Sequence, residues 1–170
     1  MLTFALLLLS FNSSKKKTIL TEQNIETSQN NPFIGTWTFQ NGNELFILTL
    51  WADSQEIFGH YRMMAIDNNG SYQFMVYNSN KEIGTSGQNW PYVVYSKLNE
   101  GSYISGNITD NSVNNPNYTF IEGKFTMTLL DTCFGCDLTA EFKVEKAQGI
   151  RSEGEPDFNI PTDIILTKVN

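Results

Sequence analysis

The chain has one histidine, His60, and two cysteines, Cys133 and Cys136, in 170 residues. A lone imidazole removes most catalytic triads and dyads, and the cysteine pair falls short of the four ligands that a structural zinc site takes. No metal and no cofactor is expected. Charged residues are scarce at 17%, against ~25% in ordinary globular chains, and the balance is acidic, with a net charge of −7. Three of the basic residues are consecutive, at Lys15, Lys16 and Lys17. An acidic body lacks the basic patch that nucleic acid or an anionic bilayer needs, so neither is an expected partner. No apolar run approaches the ~20 residues of a membrane-spanning helix. No segment keeps a period of 3.6 long enough to predict a helix.

What is present is a small apolar leader, a polar stretch and a series of alternating segments. Leu2 to Leu9 is apolar and has the length of a secretory signal core, although its lysines follow the core instead of preceding it. Residues 1–14 are therefore expected to be signal-like, and residues 15–31, rich in Ser, Asn, Thr and Gln, to be a flexible linker. A secreted or periplasmic protein is expected, monomeric, with its globular domain at residues 32–170. That length suits one domain with a sizeable core.

Strand signals fill the domain. In Phe33 to Phe39 the side chains of Phe33, Gly35, Trp37 and Phe39 share one face. Asn41-Gly42 marks a hairpin, since both residues tolerate positive φ. Leu45 to Trp51 is apolar on both faces. Ile57 to Ile66 places Ile57, Gly59, Tyr61, Met63 and Ala65 opposite His60 and Arg62. Tyr72, Phe74 and Val76 alternate inward after the turn Asp67 to Gly70. Strands at Tyr92 to Leu98, Tyr103 to Thr109, Ile121 to Leu129, Leu138 to Val144 and Ile164 to Val169 complete the set. The fold class predicted is all-β, an antiparallel up-and-down barrel of eight or nine strands, with a two-sheet sandwich as the alternative.

Gly35-Thr36-Trp37, the Asn41-Gly42 turn, the run Glu44 to Thr49 and Gly59-His60-Tyr61 resemble the first three strands of calycin-type barrels, the lipocalins, fatty-acid-binding proteins and avidins. The chain is also similar to small secreted bacterial domains of unknown function with a Gly-Thr-Trp opening. The avidin opening is nearest in wording, yet Phe39, Asn43 and Met63 stand where avidins carry polar biotin ligands. The resemblance implies a lipocalin-like barrel but not biotin binding.

The aromatic set Trp37, Trp51, Tyr61, Tyr72, Phe74, Trp90, Tyr92 and Tyr95 offers the most chemistry. Trp37, Trp51, Tyr61, Met63, Tyr72 and Phe74 are the expected lining of an interior cavity for a small apolar or amphipathic ligand. Packing of the same residues as plain core is the competing reading. It leaves a protein-interaction or inhibitor module that uses loops such as Gly84 to Trp90 and Asp110 to Asn117. Cys133 and Cys136 lie between two strands, where a disulfide would staple a hairpin; redox and metal roles stay open. His60 is expected on the surface. Glu44, Asp110, Glu122 and Asp131 do not converge and are expected on a solvated face, so catalysis is not expected.

Overall fold

The computed structural model describes residues 31–98, 101–130, 135–149 and 154–169, and within them the chain forms nine strands and no helix. Strands β1 (Gly35–Asn41), β2 (Glu44–Asp53) and β3 (Glu56–Ile66) are joined by two-residue turns. Gly42 takes a φ of 57° as the first residue of the Gly42-Asn43 turn, while Asn41 stays in β1 opposite Glu44, so the hairpin is where expected but its loop begins one residue later. There follow β4 (Tyr72–Asn78), β5 (Val94–Lys97), β6 (Tyr103–Asp110), β7 (Ile121–Leu129), β8 (Thr139–Lys146) and β9 (Asp163–Lys168). All pairings between strands are antiparallel. Eight strands close a barrel in the order β2-β1-β9-β8-β7-β6-β5-β3, with β3 returning to β2, and β4 is attached at the edge. The expected signal-like segment and all of the expected linker except Asn31 lie outside the described residues. Asn31 already belongs to the fold, because its side-chain oxygen accepts from the Phe33 N–H at 3.0 Å.

The barrel departs from consecutive hairpins at one place. Along one edge β3 pairs with β2 over its whole length; along the other it pairs with β5 through Glu56–Gly59 and with β4 through Arg62–Ile66. The fork lies between these two stretches, where Tyr61 would lose its ladder partners. Ser79 replaces them: its N–H donates to the Tyr61 carbonyl at 3.0 Å, and its hydroxyl accepts from the Tyr61 N–H at 2.9 Å. A buried backbone pair is thereby satisfied without a strand. The consequence falls on β4, which leaves the wall. Tyr72 is 55% and Phe74 61% exposed, contrary to the expectation that they point inward.

Inside the wall, period-2 alternation decides what is buried. Leu48, Leu50, Ile57, Ile104, Ile108, Phe125, Met127, Phe142 and Leu166 are all at or below 1% exposure. Rings from facing strands meet: Phe46 of β2 lies 6.0 Å from Tyr61 and 6.5 Å from Phe142 of β8, which lies 6.0 Å from Phe125 of β7. These contacts fill the centre with side chains. Where β1 begins, Trp37 donates its indole N–H to the Phe33 carbonyl at 2.8 Å. The Lys168 ammonium lies 5.7 Å from the Trp37 ring centre and donates to the Pro32 carbonyl at 2.7 Å. Gly35 leaves the space through which the Lys168 stem passes, since a Cβ there would approach Lys168 Cε to 3.1 Å.

Elsewhere the barrel is crossed by a strap, residues 157–162, immediately before β9. Phe158 occupies the space left by Gly123, and Ile160 is buried. Asp110 holds the strap in place. One carboxyl oxygen accepts from the Asn159 N–H at 2.6 Å and the Ile160 N–H at 3.3 Å; the other accepts from the Tyr61 hydroxyl at 2.8 Å, the Ser112 N–H at 2.9 Å and the Ser112 hydroxyl at 2.6 Å. Asp110 is 0% exposed, so its expected place on a solvated face is corrected. Alternation on β6 carries it inward with Ile104 and Ile108.

Asp110→Asn turns one acceptor into a donor that faces N–H and O–H groups. It should destabilise the fold on the order of 3 kcal/mol. Urea unfolding measures this, and an unchanged midpoint would mean that the carboxyl does not tie the strap.

Candidate functional site

The six residues expected to line one cavity do not share a site. Trp37, Tyr61 and Met63 are buried inside the barrel. Trp51 is on the opposite face of β2 from Leu48 and Leu50, hence outside, and Tyr72 and Phe74 are on the protruding β4. Met63 alone borders a surface hollow, about 480 Å³, where the strap meets the β1–β2 hairpin beside Phe39, Glu44, Ile160 and Asp163. Burial, and then the charge of Asp110, push the Tyr61 hydroxyl far above its ordinary pKa, so it stays a protonated donor.

The structure brings other rings together on the outer wall. Cross-strand register places Trp51 beside Phe58, Phe58 beside Tyr95, and Tyr95 beside Asn107. Each belongs to the outward set of its strand, so four neighbouring strands form one belt. Ring centres are 6.4 Å apart for Trp51 and Phe58 and 5.7 Å for Phe58 and Tyr95. Tyr92, just before β5, joins them at 4.7 Å from Phe58 and 6.2 Å from Tyr95. The Tyr95 hydroxyl donates to Glu56 at 2.6 Å, which holds its pKa up and fixes the ring.

A short arm covers one side of this belt. Residues 81–90 fold back through the Glu82–Asn89 bridge, with Gly84 and Gly87 at positive φ in the turn. The arm carries Ile83 and Trp90 above the wall, and Phe120 meets Trp90 edge-on at 5.7 Å. Between arm and wall is a groove of about 390 Å³ lined by Ile83, Trp90, Pro91, Tyr92, Val93, Tyr95, Asn107 and Thr109. None of these residues is charged. Tyr92 and Tyr95 are in the aromatic set of the sequence, but their meeting with Asn107 and Thr109 depends on the β5–β6 pairing.

His60 ties the groove to the fork. It stands on the outer face of β3, as expected, but is half-buried, with its ring tilted against Trp51 at 5.5 Å. Ser79 Oγ, which accepts from the Tyr61 N–H, also hydrogen-bonds His60 Nδ1 at 3.0 Å. The ring also hydrogen-bonds the Pro91 backbone. Burial lowers the His60 pKa despite that bond. Cys133 and Asp131 are outside the described residues; no described cysteine is free. Glu44 and Glu122 are exposed. Among the described residues no group of three or more His, Cys, Asp or Glu could hold a metal ion, and no helix is long and apolar enough to cross a membrane.

Because folding lowers the His60 pKa, the unfolded chain binds its proton more readily. Stability from this group is complete above about pH 6.5 and is lost as pH falls through the folded value. His60→Gln should therefore flatten the fall in thermal midpoint between pH 7.5 and 5.5 relative to the unsubstituted chain. Parallel curves would remove His60 from the pH response.

Comparison with known proteins gives a single positive result. No curated protein and no solved structure matches the chain. One family model does match, over residues 1–169, and by that match the chain belongs to DUF6705, a family of unknown function.

Proposed function

We propose that this protein is an exported, non-enzymatic, calycin-like barrel that binds a small amphipathic molecule, and that it does so in the outer aromatic groove instead of along the barrel axis. The observation that carries the reading is the groove itself, lined by rings and closed by Asn107 and Thr109, with no charge in it. Binding sites pair an apolar, aromatic lining with a few polar groups in this way. Contacts such as Phe46 to Phe142 across the centre speak for an outer site over an inner one. The calycin-like part is supported by the Gly35-Thr36-Trp37 opening, where the missing side chain of Gly35 admits Lys168 to the Trp37 ring. A structural role for the most buried acid, Asp110, supports a non-enzymatic reading, because donors of the fold occupy both of its oxygens. Export is supported by the apolar run Leu2 to Leu9, and a Cys133 to Cys136 bridge would suit an oxidising compartment.

Calorimetric titration with 2-naphthol, an amphipathic ring compound, tests the site. Tyr92→Ala should weaken binding about tenfold, equivalent to about 1.4 kcal/mol, whereas the interior change Ile104→Val should leave affinity unchanged. The reverse pattern would return the site to the barrel interior. Export is tested by the intact mass of protein recovered from its own compartment. The mass should lack the Leu2 to Leu9 segment, and a retained Met1 would sink the export reading.

A further inference from the structure

We infer, resting on the reading of this groove as the binding face, that its ligand is a neutral saccharide chain whose sugar rings stack on Tyr92 and Tyr95 and whose hydroxyls meet Asn107 and Thr109. Three properties select that chemistry. First, the groove is uncharged in a chain of net charge −7, and the nearby Glu56 carboxylate is engaged by the Tyr95 hydroxyl at 2.6 Å. An anionic or cationic ligand would find no partner there and would be desolvated without compensation.

Second, the rings are presented on an open outer wall, with Tyr92 40% exposed. An acyl chain laid there would keep much of its surface in water, because such ligands require a site that encloses most of them. A sugar has one apolar face of C–H groups and a rim of hydroxyls that stay solvated. Its positive C–H edges suit the negative face of a phenol ring, and the amide of Asn107 offers both donors and an acceptor to the hydroxyls.

Third, aromatic surface continues beyond one ring. Phe58 and Trp51 extend it on one side, at 6.4 Å from each other, and Trp90 with Phe120 on the other, at 5.7 Å. Such a belt suits several consecutive sugar units better than a single one.

The test is calorimetric titration of the full chain with neutral hexasaccharides (cellohexaose, xylohexaose, laminarihexaose, maltohexaose, mannohexaose and chitohexaose), with hexagalacturonate and 2-naphthol as comparisons. At least one neutral hexasaccharide should bind, at least tenfold more weakly to Tyr92→Ala and to Trp90→Ala, with affinity retained in Tyr92→Phe. Thermal unfolding of each variant confirms that it is folded. Hexagalacturonate binding as well as the neutral chains, or sugar binding that survives both alanine variants, overturns the inference. If 2-naphthol binds in a Tyr92-dependent way while no neutral hexasaccharide does, the saccharide inference falls and the groove reading stands. If neither 2-naphthol nor any sugar binds, both fall.

Discussion

The fork on β3 is the constraint from which the other features follow. One strand edge cannot pair with β4 and β5 at the same residues, so β3 divides its length between them. Closing the barrel requires the β5 pairing, and β4 is displaced as a result. The chain must then travel from the end of β4 back to the start of β5, and that excursion, residues 79–93, supplies Ser79 to the fork and Trp90 and Tyr92 to the groove. The polar repair of the wall and two of the groove's rings thus come from one connection. Backbone groups at the fork are satisfied by Ser79 because a buried unpaired N–H or C=O costs as much as a lost hydrogen bond.

A division of labour between the two faces of the wall follows. Inward positions are taken up by packing, with Phe46, Tyr61, Phe125 and Phe142 in mutual contact. Asp110 uses the few polar groups inside to hold the strap, and none of its hydrogen bonds is left for a ligand. Outward positions on β7 and β8 are small or charged, as with Glu122, Lys124, Thr126 and Thr128 on β7. The stretch Trp51, Phe58, Tyr95 differs, with three half-buried rings side by side on the outer wall. His60, on the outer face, links the fork to the groove loop through Ser79 and the Pro91 backbone.

Much of the fold was legible from alternation alone. The inward sets of β3, β7 and β8 are those that period-2 spacing assigns, because each strand has neighbours on both edges and one face in the core. β4 was misread for a physical reason: Tyr72, Phe74 and Val76 alternate like core residues, but alternation does not reveal whether a strand has a barrel behind it. Asp110 was misread because an acidic residue is usually solvated. The alternation of Ile104, Gly106 and Ile108 already pointed it inward. Phe158 and Ile160 likewise carry an alternating apolar signal, too short to mark a strand.

Sequence by itself determined the strands, the inward faces of those in the barrel wall, the first hairpin and an acidic composition. These are local or compositional properties, set by side-chain period, turn chemistry and charge. Tertiary structure alone decided which strand left the wall, that Asp110 anchors the strap, and that Tyr92, Tyr95, Asn107 and Thr109 share a groove. Each of those depends on the register between strands distant in the chain, and register is fixed by closure of the barrel as a whole.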